Sequence, residues 1–246
     1  MLSKAQNKYI RSLSQQKFRD EYKVFIAEGE KIAIEWLSAP NILQMIIATP
    51  EWTMRHAELI KSHPEAELIV VKDTELAVLS ALRTPNEVIL VIPIPPKKAI
   101  PILNEWYLAL DDLQDPGNMG TVIRIADWFG IRNVVCSPSC VDVYNPKVVQ
   151  SAMGGHLRVD FYETDLVSFL RNSSLPKIVA TLDGENVYNI TRADAGILII
   201  GNESKGISAK VISMATKKVM IPRKGGAESL NAGVSAGILC ALLLPC

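Results

Sequence analysis

Three polar, glycine-containing turns carry the side chains most able to do chemistry: DPGNMGTVIR (115–124), GNESKG (201–206) and IPRKGGAESLNAG (221–233). Asn118, Arg124, Glu203, Ser229 and Asn231 stand in them, two amides, a guanidinium, a carboxylate and a hydroxyl. Each turn follows a β-type run, and in an open α/β sheet ligands collect where strand C-terminal ends meet such loops. The glycines permit close backbone approach, and a guanidinium engages oxyanions such as phosphate. Any one turn reads as ordinary turn chemistry, with Gly for positive φ and Asn or Ser for caps. Three in this order read as a site that orients a polar substrate.

Familiar alternatives fail on spacing. A dinucleotide-binding loop needs G-x-G-x-x-G, whereas Gly117 and Gly120 give only G-x-x-G and share their loop with Pro116 and Asn118. No GKS or GKT occurs, so there is no phosphate loop of that type. Ser229 lies in AESLN rather than G-x-S-x-G, with no nearby histidine to activate it. Cys136 and Cys140 are poor candidates for a zinc site, which needs four good ligands in a chain with three histidines. With Cys240 and Cys246 they are expected to be reduced structural thiols, and no metal is expected.

The elements that must position these turns follow from the apolar rhythm. WYLALDDL, NVVCS, RVDFYE, KIVATL, GILIIGN and KKVMIP are β-type runs separated by segments of helical spacing, which predicts a mostly parallel α/β sheet. The terminal LNAGVSAGILCALLLP is apolar nearly all round and too short to span a bilayer, so it is expected to be a helix buried against the sheet or a partner subunit. Upstream, helix-like stretches around 3–16, 29–38, 51–62 and 74–82 alternate with β-type runs at 45–48, 68–71 and 88–92. VIPIPPKKAIP (91–101) carries four prolines and two lysines and reads as a semi-rigid linker. The expected division is 1–95, a linker at 96–101, and 102–246, with a chain beginning near Ile100 expected to fold alone.

The chain of 246 residues is 48% hydrophobic and 21% charged, the balance of an ordinary folded protein. No signal-like apolar core opens it and no run approaches the roughly 20 apolar residues of a membrane span, so a cytoplasmic protein without a membrane partner is expected. Net charge is zero, but its distribution is uneven. Residues 1–24 hold Lys4, Lys8, Arg11, Lys17, Arg19 and Lys23 against Asp20 and Glu21. From Ser204 to Ala227, Lys205, Lys210, Lys217, Lys218, Arg223 and Lys224 stand with no acidic residue among them. Either segment alone reads as a solvated face; together they could meet one polyanion.

LQDPGNMGTVIRIADWFG, GNESKGIS and IPRKGGAESLNAGVSAG, with the intervening YNPKVVQSAMGG, resemble the ordered motifs of the SpoU (TrmH-type) family of RNA ribose 2′-O-methyltransferases, in the SPOUT superfamily. The resemblance covers roughly residues 106–244. One departure is Ala232-Gly233, where members often carry valine and another small residue; it touches packing and leaves the polar groups intact. KVFIAEGEKIAIEWL, after the basic N-terminal segment, resembles the small L30e-like substrate-binding domain of many members.

The resemblance implies an α/β fold: a C-terminal SPOUT-type domain with a deep trefoil knot, preceded by a small L30e-like α/β domain. It implies S-adenosylmethionine as cofactor, RNA as substrate and a homodimer with the terminal helix at its interface. Gly201, Ile221 and Leu230 carry over as cofactor-contacting residues, and Thr181, Asn202, Gly206 and Pro222 join them. Arg124 carries over as the central catalytic residue, supported by Asn118, Glu203, Ser229 and Asn231, with an ion pair or hydrogen bond from Glu203 to Arg124 the simplest arrangement. Ribosomal RNA is favoured slightly over transfer RNA. A non-catalytic RNA-binding protein on the same scaffold is the main rival, and a nicotinamide-dependent oxidoreductase the weaker one.

Overall fold

The computed structural model describes residues 2–80, 82 and 86–245. They divide into two units. The first comprises residues up to Pro96 together with Tyr144–Leu157, and the second comprises Lys97–Val143 and Arg158 onward.

In the first unit, β1 (Val24–Glu28), β2 (Met45–Ala48), β3 (Glu67–Val70) and β4 (Val88–Pro93) form one sheet in the order β1-β4-β2-β3. β4 runs antiparallel to both neighbours, and β2 and β3 are parallel. Alternation sorts the strand residues onto two buried faces: Phe25, Ala27, Ile46, Ala48, Leu90 and Ile92 on one, Val24, Ile26, Ile47, Ile89 and Val91 on the other. With them go α1 (Lys4–Ser12), α2 (Gln16–Tyr22), α3 (Glu30–Ser38), α4 (Pro50–Arg55), α5 (Ala57–Lys61) and α6 (Asp73–Leu79).

Several boundaries differ from expectation for local reasons. The stretch 3–16 is not one helix. A Ser3–Gln6 capping box starts α1, the chain turns at Leu13–Gln15, and α2 then runs on to Lys23, which ends it at φ 55°. The stretch 51–62 is likewise broken at His56, and α6 ends at Leu79, short of 82, with Ala81 outside the described residues. Val91–Pro93 belong to β4 rather than to a linker. Arg19 is not part of a solvated basic face: it is 1% exposed and donates to the Leu13 carbonyl at 2.8 Å.

The second unit is built on a six-stranded sheet in the order β10-β8-β9-β5-β6-β7. Its strands are β5 (Trp106–Asp111), β6 (Asn133–Cys136), β7 (Asp160–Glu163), β8 (Lys177–Asn186), β9 (Gly196–Gly201) and β10 (Lys217–Met220). Every pairing is parallel. WYLALD and GILIIG read as unbroken apolar runs because parallel central strands are buried on both faces.

Helix α7 (Pro116–Trp128) follows β5. After β6 the chain enters the first unit, where α8 (Pro146–Ala152) packs on β1, Val149 joins its core and Tyr144 lies against Phe25 at 4.9 Å between ring centroids. The second unit resumes with α9 (Leu166–Asn172) and α10 (Ala209–Ile212), which cover one face through Leu166, Leu170 and Val211. The terminal helix α11 (Ala232–Leu243) packs on α7 and β9. Gly233 permits the close approach to α7: a Cβ there would stand 2.7 Å from Thr121 Cγ2.

The excursion through Tyr144–Leu157 means that one cut in the sequence does not separate the units. A chain beginning at Ile100 retains α8 but loses the β1 surface that buries Val149. Such a chain is expected to aggregate or melt at lower temperature, and replacing Val149 with a polar residue is expected to improve its solubility, checked by light scattering and thermal melts. A truncated chain as soluble as the full one would contradict this.

β8 has an internal irregularity of the kind no local pattern reveals. Its pairing with β10 passes from Val179↔Lys218 directly to Glu185↔Val219, leaving residues 180–184 out of the ladder. Gly184 lies so close to the Lys218–Val219 backbone that a Cβ would fall within 2.6 Å of Val219.

Candidate functional site

β5 and β9 are adjacent central strands, and their register ends at Asp111↔Gly201. The first two polar turns leave the sheet at this C-terminal edge. Asp115 caps α7, its carboxylate accepting from Asn118 N at 2.8 Å, and Pro116 occupies the first turn, where its missing N–H costs nothing.

From this helix start a chain of side-chain hydrogen bonds joins the three turns. Asn118 Nδ2 donates to Glu203 Oε1 at 3.0 Å. Asn231 Nδ2 donates to Asn118 Oδ1 at 2.6 Å. Asn231 in turn caps α11, its Oδ1 accepting from Val234 N at 3.2 Å. A carboxylate can only accept and a backbone N–H can only donate, so the two ends of the chain dictate which way both amides point.

Glu203 also accepts from the backbone N–H of Asp115 at 3.1 Å and of Gln114 at 3.4 Å. Burial pushes its carboxyl up, but the hydrogen bonds from Asn118 and from backbone N–H groups outweigh this and hold it below the ordinary carboxylate value. The clamp is therefore complete at neutral pH and loosens only as pH falls through that lowered value. The expected contact from Glu203 to Arg124 is not the one formed: Glu203 is engaged by Asn118 and the start of α7.

A second set of bonds ties the GNESKG turn to the end of β5. Asn202 Nδ2 donates to the Asp112 carbonyl at 2.7 Å, while its Oδ1 accepts from Ser204 N and Lys205 N at 2.9 and 3.0 Å. Reciprocal backbone bonds of 3.0 Å join Asn202 and Gly206, and Gly206 has φ 69°. Asp111, 7% exposed, accepts from Ser208 N at 2.7 Å. A Cβ on Gly201 would lie 2.4–2.6 Å from the backbone of Gly206 and Ile207, so only glycine fits there. Asp111, Asp112 and Asp115 were missed as positioning residues. The signal was present in DDLQD, three carboxylates in five residues directly after an apolar run.

The remaining candidates fall into three groups. Arg124 is exposed on α7, on the stripe Thr121–Arg124–Trp128, and is unpartnered among the described residues. Ser229 and Leu230 are exposed in the loop before Asn231, and Ile221 and Pro222 are half-buried just after β10. Thr181 lies in the unladdered part of β8, and its Oγ1 is buried without a hydrogen-bond partner. An orphaned buried hydroxyl is uncommon in a finished core and is what a polar ligand would satisfy.

The second basic segment is less free than its sequence implied. Lys205 stands 3.7 Å from Asp112, Lys217 stands 3.6 Å from Glu185 and Lys218 stands 4.0 Å from Asp183. These carboxylates come from other parts of the chain. Among the described residues Cys136, Cys140 and Cys240 are free thiols, with Cys246 outside them, and no cluster of His, Cys, Asp or Glu could hold a metal ion. No helix among them is long and apolar enough to cross a membrane.

Known proteins resemble this chain over nearly its whole length. Residues 105–241 match the SpoU rRNA Methylase family and residues 4–90 match the MRM3-like substrate binding domain. The 23S rRNA (guanosine(2553)-2′-O)-methyltransferase RlmP of Bacillus subtilis (strain 168) is 28% identical over 233 residues, covering 93% of this chain and 92% of that protein. A TrmH-family structure from Porphyromonas gingivalis superimposes with a TM-score of 0.86 at 33% identity, covering 99% of this chain and 98% of the other. An AdoMet-bound rRNA methyltransferase from Sinorhizobium meliloti gives 0.86 at 25% identity, covering 98% and 94%. With more than half of its length matched by the family and both units matched by whole structures, the chain belongs to the SpoU rRNA methylase family.

Proposed function

We propose that this protein is an S-adenosylmethionine-dependent methyltransferase that methylates a ribose 2′-hydroxyl in RNA, with ribosomal RNA as the substrate. The observation that carries the reading is the hydrogen-bonded convergence of Asn118, Glu203 and Asn231 from three separate turns at the C-terminal ends of β5 and β9. The relatives' names support the ribosomal target and the ribose chemistry.

The residues present fit the cofactor. Thr181 offers an unsatisfied buried hydroxyl, and Gly201, Asn202, Gly206, Ile221, Pro222 and Leu230 offer loop backbone for recognising it. When bound, it supplies a methyl group activated as a sulfonium, so the protein's task is positioning rather than leaving-group activation. Arg124 engages the phosphate next to the target ribose and steers the hydroxyl. A guanidinium does not release its proton near neutrality, so the hydroxyl proton passes to that phosphate or to water. Asn118, Glu203 and Asn231 hold the turns, and Ser229 stands two residues before Asn231 in the third of them.

A knotted passage of the chain in the second unit is our assignment, supported by the likeness of the whole chain to a TrmH-family structure. The L30e-like architecture is our assignment for the first unit. A homodimer is supported by Trp128, 83% exposed on α7, and Val234, 50% exposed on α11, apolar side chains on two helices that pack together. A monomer in sedimentation at micromolar concentration would contradict it. The cytoplasm is our assignment for the working compartment, supported by the likeness to a bacterial rRNA methyltransferase.

Gly201→Val is expected to weaken S-adenosylmethionine binding about tenfold, because the backbone of Gly206–Ile207 must move to admit the side chain and overpacking of this kind costs about 1–3 kcal/mol. Calorimetry on the folded variant checks it, and wild-type affinity would count against the assignment of this turn. The reaction itself is tested by methyl transfer from labelled cofactor to unmodified ribosomal and transfer RNA, followed by mapping of the alkali-resistant linkage. Label on a base, or no transfer to either RNA, would overturn the proposal.

A further inference from the structure

The first unit carries an open cleft of about 660 Å³ between α1 and α2. Lys4, Lys8 and Arg11 line it at spacings of four and three residues, which puts them on one stripe of α1. All three are exposed, and none has a hydrogen-bonded or ion-pair partner for its charge among the described residues. Phe18 of α2 lines the same cleft. Its ring is half-buried, lies nearly parallel to Tyr22 at 6.2 Å and has Lys17 Nζ at 5.8 Å.

Two side-chain amides share the lining with Leu2, Ser3, Ser12 and Ser14. Gln15 occupies the N-cap position of α2 without making a capping hydrogen bond, and the Asn7 side chain on α1 has no partner among the described residues. A stripe of cations alone would be a solvated helix face. Here the stripe shares a cleft with an aromatic ring and two unengaged amides, which together match the phosphate, the face and the edge of a nucleotide.

We propose that the α1–α2 cleft captures an unstacked nucleotide of single-stranded RNA, with Lys4, Lys8 and Arg11 on its phosphates, the base against Phe18, and Asn7 and Gln15 at its edge. The inference rests on the reading of the chain as an RNA methyltransferase and names how that enzyme grips its substrate beyond the methylated ribose. A flat base needs the ring and the amides. An acidic peptide would need the cations alone.

The test uses the full chain, with a fluorescein-labelled single-stranded RNA octamer, an RNA duplex of equal length and polyglutamate as probes, read by anisotropy across a salt titration. Phe18→Leu, which preserves apolar volume, is expected to weaken octamer binding about tenfold with an unchanged salt slope, and Phe18→Trp to retain it. Replacing Lys4, Lys8 and Arg11 together with alanine is expected to reduce the slope of log K against log salt by about 2. In methylation assays both changes are expected to raise KM for RNA while leaving kcat and S-adenosylmethionine affinity unchanged. Equal binding of duplex or polyglutamate, or wild-type octamer affinity in Phe18→Leu, would overturn the cleft assignment. Octamer binding that depends on Phe18 in a chain that transfers no methyl group would overturn the enzymatic reading and leave the cleft standing.

Discussion

Arg124→Ala is expected to lower methyl transfer on the order of 100-fold or more while S-adenosylmethionine binding and the thermal melt stay close to wild type. The substitution is clean because the side chain is exposed and unpartnered among the described residues, so its removal leaves no buried group stranded. Arg124→Lys is expected to recover little, since an ammonium cannot present the planar pair of donors that reaches phosphate and hydroxyl together. Single-turnover methyl transfer measures the loss, and calorimetry with the cofactor separates it from a binding defect. A folded Arg124→Ala protein with turnover within a few-fold of wild type would remove Arg124 from the mechanism.

The bonding of Glu203 sharpens that experiment. Because its carboxylate is engaged by Asn118 and the backbone of Gln114 and Asp115, it does not tether Arg124. Glu203 variants are therefore expected to loosen the turns and the cofactor site, whereas Arg124 variants lose turnover alone. Had Glu203 held the guanidinium, the two sets would share one phenotype.

What was legible in the sequence follows how local its cause is. The central strands of the second unit are readable as apolar runs, the edge strands β7 and β10 as short β-type runs between turn residues, and the segments of helical spacing among them point to a mostly parallel sheet. β1 is hard to read as a strand because VFIAE runs into the helical EKIAIEWL with only Gly29 between them. The split between α1 and α2 depends on burying Leu13 and Arg19, which helical spacing alone does not disclose.

Longer-range features were out of reach in principle. Residues 180–184 leave the ladder because of how Val219 pairs, and the excursion through Tyr144–Leu157 exists because Val149 and Tyr144 find their apolar partners in the first unit. The site residues were nameable from their turns, but the order of their bonding was not. Asn118 and Asn231 are 113 positions apart, and nothing local to either shows that one donates to the other.

That bonding order makes Asn118→Asp the most damaging isosteric change in the site. It replaces the Nδ2 donor facing Glu203 with an oxygen, or, if the carboxyl rotates, still leaves two carboxylates about 3 Å apart where a hydrogen bond stood. The lost bond to a charged acceptor is worth about 1.5–3 kcal/mol, and like-charge repulsion adds to it, so Asn118→Asp is expected to be less stable than Asn118→Ala at pH 8. Two facing carboxyls cannot both ionise cheaply, so one acquires a raised pKa and the pair shares a proton once pH falls below it. The stability lost in Asn118→Asp is thus absent at high pH and returns as pH falls, while Asn118→Ala has no such proton to gain. Thermal melts of both variants and wild type between pH 8 and pH 5 should show the Asp variant closing its gap to wild type and overtaking the Ala variant. A gap that does not change with pH would mean that Glu203 does not face position 118 in solution, and that the hydrogen-bonded chain joining the three turns is not what holds the site together.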